Sequence, residues 1–245
     1  MIQIRILDDL TRVGLNMLER LSDRIWYYPM EEERDRPNLG YIRGDNWSIA
    51  VDAGHSEAHT REFYKALEEN GMPFPKLTII THWHWDHTFG MHAVNGLCLA
   101  NERTNKYLID FKRRISQEGP GFFLNMHETI RNEYSENKPV IVSAADMIFH
   151  DSIMLDAGNC TVKIFQAEAP HTDDSTFIEV PEEGVLFVGD ATCGSLPEWK
   201  KDSVLSLKLA ETIQKSEATI CIEGHWIPVP KDDTIRDLLA EVDGK

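Results

Sequence analysis

Apolar and polar positions change period several times along this chain. Residues 40–43 (Gly-Tyr-Ile-Arg) and 47–51 (Trp-Ser-Ile-Ala-Val) are strand-like runs around Gly44-Asp45-Asn46, which predicts a hairpin ending on Asp52. Residues 56–70 follow with helical spacing: Ser56 suits the N-cap, Phe63, Ala66 and Leu67 share one face, and Gly71 provides the stop. The apolar run 77–81 reads as a buried strand, and residues 87–95, stopped by Gly96, as a further helix. From 101 to 137 the pattern is helical but broken at Gly119-Pro120-Gly121, which predicts two helices and a loop. Strands are predicted at 147–149, 152–155, 161–165, 176–180, 185–188 and 219–222, a helix at 234–242, and a first strand at 1–9.

Strand runs with helices interposed argue for sheets covered by helices, an α/β or α+β fold. A chain of 245 residues without a Gly/Ser/Pro-rich linker is read as one domain, 1–245, with 101–137 as a helical insertion shaping the substrate site. Five predicted strands are each followed by a residue able to bind a metal or a proton: Asp52, His82, His171, Asp190 and His225. Ligand sites of α/β folds cluster beyond the carboxyl ends of strands, so these five are expected along one edge.

Charge narrows the partners. With 41 acidic against 25 basic side chains, the net charge of −16 repels polyanions, so a small-molecule substrate is expected and nucleic acid is not. The basic run Lys112-Arg113-Arg114 reads as a solvated helix face. No run is apolar enough for a bilayer, the first residues lack the character of a signal peptide, and Cys98, Cys160, Cys193 and Cys221 make no CxxC or disulfide pattern; a cytoplasmic setting is expected.

The densest chemistry lies in His82-Trp83-His84-Trp85-Asp86-His87. In an extended segment His82 and His84 point the same way and can share one ion, while a following turn swings Asp86 and His87 toward a second. Imidazole and carboxylate donors suit Zn²⁺, and also iron or manganese, and a cluster without a thiolate-rich set points to a catalytic site.

This run resembles the His-x-His-x-Asp-His signature of the metallo-β-lactamase superfamily, and the further marks follow in order: Asp52 in Val-Asp-Ala-Gly, His171 in Pro-His-Thr-Asp-Asp-Ser, Asp190 in Val-Gly-Asp and His225 in Glu-Gly-His. The resemblance implies a four-layer αβ/βα sandwich, two mixed sheets inside and helices outside. It assigns His82, His84 and His171 to one metal, Asp86, His87 and His225 to another, and Asp190 to both. It implies two divalent ions, zinc foremost, a metal-bridged hydroxide as nucleophile, Asp86 as the catalytic carboxylate and Asp52 as the group that fixes a ligating imidazole.

The substrate stays open. A hydrolase of esters, thioesters, lactones or related acyl substrates leads; a phosphodiesterase or nuclease and a mononuclear iron sulfur dioxygenase are the alternatives within the superfamily, and a non-catalytic metal-binding module is the bland one. Selectivity is expected from residues 27–30 with the acidic loop after them, and from Phe122 and Phe123, which form either an apolar lid or ordinary helix packing. His55, His59, His92, His127 and His150 are read as packing or surface residues, with His127 the one of most interest, and Cys193 as a weak candidate for the second metal. Trp83 and Trp85 line the mouth or, preferably, pack beneath the loop.

Overall fold

A computed structural model describes residues 18–135 and 138–243; the strand expected at 1–9 lies outside them. A first sheet has the order β1 (Glu19–Arg20), β2 (Ile25–Tyr28), β3 (Leu39–Arg43), β4 (Ser48–Val51), β5 (Leu77–Ile79), β6 (Leu97–Asn101) and β7 (Met147–Phe149). A second runs β13 (Val229–Pro230), β12 (Ile220–Glu223), β11 (Val185–Gly189), β10 (Thr176–Val180), β9 (Thr161–Gln166) and β8 (Ser152–Asp156). Both are mixed: β4, β5, β6 and β7 pair in parallel and β2, β3 and β4 antiparallel, while in the second sheet β11 and β12 are the parallel pair.

The inner strands β4, β5, β10 and β11 are buried along their whole length and mostly apolar because both of their faces are covered. On β4, Ile49 and Val51 point into the core between the sheets, where they meet Ile164, Ile178 and Phe187, while Ala50 points outward to α1 (Glu57–Glu69) and its Phe63, Ala66 and Leu67. On β11, Val185 and Phe187 face inward, and Leu186 and Val188 face Leu209 and Ile213 of α6 (Ser203–Lys215) and Leu238 of α7 (Lys231–Asp243). Helices thus lie outside two packed sheets, the four-layer sandwich expected.

The predicted hairpin forms, with Gly40 opposite Val51, and α1 starts as read: the Ser56 hydroxyl accepts from Ala58 N (3.1 Å) and His59 N (3.3 Å). Four expectations change. The helix expected over 87–95 is only α2 (Trp85–Thr88) and a 3₁₀ turn at Met91–Ala93, because its backbone pairs sideways: Ala53 N donates to His87 O and Gly90 N to Gly54 O, both at 2.9 Å. A Cβ on Gly90 would lie 2.1 Å from Ala53 O, so only glycine allows that approach. Gly96, at φ +87°, turns the chain into β6, a strand the sequence reading lacks, rather than ending a helix.

The helical insertion has three helices, not two: α3 (Glu102–Glu118), α4 (Gly121–Leu124) and α5 (Glu128–Glu133). Residues 27 and 28 lie in strand β2, and Tyr28 is buried against His59 and Phe63 instead of covering the site. Helix α6, also absent from the sequence reading, is capped by Asp202, whose carboxylate accepts from Val204 N and Leu205 N. Among the described residues no helix is long and apolar enough to cross a membrane.

Candidate metal centre

The strand ends converge. Asp52 follows β4, His82 follows β5, His171 follows β9, Asp190 follows β11 and His225 follows β12. Because β9 and β11 are each antiparallel to β10, they run the same way, so all these loops leave one edge of the sandwich. Backbone bonds tie the two sheets there: Thr176 N donates to Thr81 O (2.7 Å) and Asn38 N to Gly224 O (2.6 Å).

Two groups of ligand-capable atoms result, each with its atoms within 4.8 Å of one another: His82, His84 and His171, and Asp86, His87, Asp190 and His225. They adjoin, since the His82 and His87 rings are 4.2 Å apart and His171 Nε2 lies 3.8 Å from Asp190 Oδ2. All are buried except His225, which is half-buried. Nε2 of His82, Nε2 of His87 and Oδ1 of Asp190 are buried with no hydrogen-bond partner. Orphaned buried polar atoms are costly, and several converging on one spot are a fit for a bound cation.

Supporting contacts set the tautomers. Asp52 Oδ1 accepts from Thr81 N (2.7 Å), and its Oδ2 from Thr81 Oγ1 (2.8 Å) and from His87 Nδ1 (2.7 Å). With its hydroxyl proton engaged by Asp52, Thr81 Oγ1 accepts from His82 Nδ1 at 3.1 Å. His171 Nδ1 donates to Gly194 O at 2.8 Å. Each of these three imidazoles thus donates from Nδ1, so that in the neutral ring it is Nε2 that turns a lone pair toward the cluster.

The two groups differ in charge. Burial, then the other imidazoles, keeps His82 neutral far below its ordinary value, and burial followed by His171 pushes His84 down to about 3. In the second group burial opposes the charged forms, yet Asp190 and Asp86 outweigh it, raising His87 strongly and His225 to about 9. The same pairing depresses Asp86 and Asp190 against their burial. Protons on His87 and His225 thus balance the carboxylates where a metal cation would otherwise do so.

Two glycines give the room. A Cβ on Gly224 would lie 2.1 Å from Asp190 Oδ1 and 2.8 Å from His87 Cε1, and Gly189, at φ +55°, abuts Thr81. Asn38 was not singled out in the sequence, but its Nδ2 donates to Glu223 O (2.8 Å) and Trp226 O (2.7 Å), fixing the segment that carries His225.

The remaining candidates separate cleanly. Phe123 is fully buried among Trp85, Phe89, Phe111 and Tyr134, and Phe122 packs on Phe111 and under the Arg114 guanidinium, so this pair is helix packing and not a lid. Trp83 packs on Tyr107 and Phe111, and Trp85 is 5% exposed, the packing role favoured for both. Cys193 joins neither ligand group, and burial pushes its thiol up to about 12. His55 and His59 are buried, His92 bonds Phe89 O, His150 pairs with Glu102 at the surface, and exposed His127 stacks on Trp85. Arg113 and Arg114 of the basic run pair with Asp110 and Glu118 on the solvated face of α3.

Among solved structures the chain is similar to a metallo-beta-lactamase from Pontibacter korlensis, at 15% identity and a TM-score of 0.67, over 93% of this chain and 99% of that one. It is similar also to a metallo-beta-lactamase family protein from Thermus thermophilus, at 17% identity and a TM-score of 0.67, over 92% and 81%. A stereoselective inverting sec-alkylsulfatase from a Pseudomonas species is 13% identical with a TM-score of 0.68, over 93% of this chain but 41% of that one. At these identities the likeness is one of fold. No curated protein matches the sequence. The family model for the metallo-beta-lactamase superfamily matches residues 34–239, a span that holds every ligand-capable side chain described above, and the chain therefore belongs to the metallo-beta-lactamase superfamily and is a hydrolase with that family's His/Asp cluster.

Proposed function

We propose that the chain is a binuclear metal-dependent hydrolase of esters, thioesters, lactones or related small acyl substrates. The observation that carries this reading is the pair of adjoining ligand groups with partnerless buried atoms, His82 Nε2, His87 Nε2 and Asp190 Oδ1, converging between them. His82, His84 and His171 would hold one cation and Asp86, His87 and His225 the other, with Asp190 between both. Zinc suits this nitrogen and oxygen donor set, with iron and manganese as alternatives. When bound, two such cations lower the pKa of water toward neutrality and polarise an acyl oxygen.

The protein's own part is positioning and proton handling. Asp52 holds His87 by Nδ1 and, through Thr81, His82, so that each neutral ring would offer its Nε2 to a cation. Asp86, with Oδ2 2.9 Å from His225 Nε2, would orient the attacking water or accept its proton. Four free thiols fit a reducing cytoplasm.

Metal analysis of protein purified without added metal, with a panel of esters, thioesters, lactones, a secondary alkyl sulfate and bis-p-nitrophenyl phosphate, tests this. Two zinc ions and acyl turnover abolished by Asp86→Ala are expected. One iron would favour the dioxygenase, and phosphodiester turnover alone the nuclease branch; either refutes the proposal.

A further inference from the structure

The acidic loop after β2 reaches the metal centre at one residue, Asp35. The loop closes on itself through Glu31 N to Arg36 O (2.8 Å) and Arg36 N to Glu31 O (2.9 Å), and Asp35 sits at its turn in the left-handed region, φ 52° and ψ 50°. Three anchors hold it. His55 Nδ1 donates to the carbonyls of Arg34 (2.9 Å) and Asp35 (3.0 Å). Arg36, 1% exposed, forks the carboxylate of Glu133 on α5 at 2.8 and 2.9 Å and reaches Glu62 at 2.8 Å. Asn132 Nδ2 donates to Glu33 O at 3.1 Å, and Ser56 Oγ donates to Glu133. The helical insertion therefore acts on this loop as a clamp from behind.

The side chain so held lies against Trp85, between the ligands His84 and Asp86 in the sequence. Asp35 Oδ2 accepts from Trp85 Nε1 at 3.4 Å, and the Trp85 ring stands 5.4 Å from His84 and is followed in sequence by Asp86. Asp35 is half-buried, and burial, then the Asp86 carboxylate, push its carboxyl upward while His225 and His55 oppose them. No cationic side chain among the described residues forms an ion pair with it, although Glu31 of the same loop is paired with both Arg34 and Arg36. A turn alone would be served equally by glycine or asparagine. A carboxylate clamped at the rim of a cation-binding centre, left without a cation of its own, is a group for the substrate.

We propose that Asp35 is a specificity-determining residue that selects acyl substrates carrying a protonated amine beside the scissile bond and rejects those carrying a carboxylate there. The assignment rests on the hydrolase reading above. The acidic surface works in the same direction by concentrating cations.

The test is Asp35→Asn, which keeps the shape and tolerates the left-handed backbone, with three p-nitrophenyl esters that differ only in an ammonium, methyl or carboxylate end on the acyl chain. The wild type should prefer the ammonium ester, and the variant should lose about tenfold of the ammonium-to-carboxylate ratio in kcat/KM, through KM, as expected for a partly solvated charge pair, while the methyl ester changes less than about threefold. An unchanged ratio, or an equal loss for all three esters, overturns the proposal. If neither protein turns over any ester, the hydrolase reading fails, and calorimetric binding of the ammonium-, methyl- and carboxylate-ended acids to the metal-loaded proteins decides on Asp35: discrimination lost in the variant upholds it, and discrimination equal in both overturns it.

Discussion

Replacing Asp52 by asparagine should uncouple both metal sites at once. The Asp52 carboxylate accepts three hydrogen bonds, from Thr81 N (2.7 Å), Thr81 Oγ1 (2.8 Å) and His87 Nδ1 (2.7 Å). Asparagine keeps the shape and, like aspartate, tolerates the φ of 66° at this position. Its oxygen can still serve Thr81 N, but an amide N–H then faces His87 Nδ1, which must turn acceptor and move its proton to Nε2. That atom lies 3.4 Å from both Asp86 Oδ2 and Asp190 Oδ1, where a ligand needs a lone pair. The Thr81 hydroxyl, no longer donating to a carboxylate, turns toward His82 Nδ1 (3.1 Å) and biases that ring the same way. A misdirected ligating imidazole costs about 10–100-fold in metal affinity, or about 1.4–2.7 kcal/mol. The second ion should weaken by that factor and the first by a smaller one, since its link runs through a hydroxyl. Chelator competition and metal analysis measure both affinities, and Thr81→Val should weaken the first ion alone. If Asp52→Asn binds two ions with both affinities within about threefold of wild type, the tautomer argument is wrong.

Two further outcomes follow from burial and charge. Glu133→Ala removes the fork on the buried Arg36 guanidinium and leaves it the part-exposed Glu62, at 2.8 Å, and Glu31, at 3.5 Å, so a loss of about 3 kcal/mol is expected, a fall in Tm of about 6–12 °C in a chain of this size; a fall below about 2 °C in a thermal melt contradicts it. Binding of the second ion should release about two protons at neutral pH and the first ion almost none. His225, raised to about 9, and His87, raised well above its ordinary value by Asp190 and Asp86 against its burial, hold protons at neutral pH and must lose them to ligate, so second-site affinity climbs as pH rises toward 9, whereas His84, at about 3, is already neutral. Calorimetry in buffers of different ionisation enthalpy counts these protons, and equal release by both ions would refute the charge assignment.

Local signals carried much of the design. The alternation that built the hairpin before Asp52, the Ser56 cap and the spacing from His82 to His87 depend on neighbours within a few residues, and each appears in the structure with the expected geometry. Helix α6 escaped because Leu205, Leu207 and Leu209 alternate as a strand would, and packing of Leu209 and Ile213 against β11 and β12 decided for the helix. Phe123 could be lid or core by sequence, and the ring of aromatics around it exists only once α4 meets α2. The pairing of Arg36 with Glu133, 97 positions away, and the reach of Asn38 to Glu223 leave no local trace. Sequence by itself determined which side chains can hold metal, because ligand chemistry and short-range spacing are written residue by residue. Only the tertiary structure decided what surrounds them, because long-range ion pairs and the closing of loops against one another depend on how the whole chain packs.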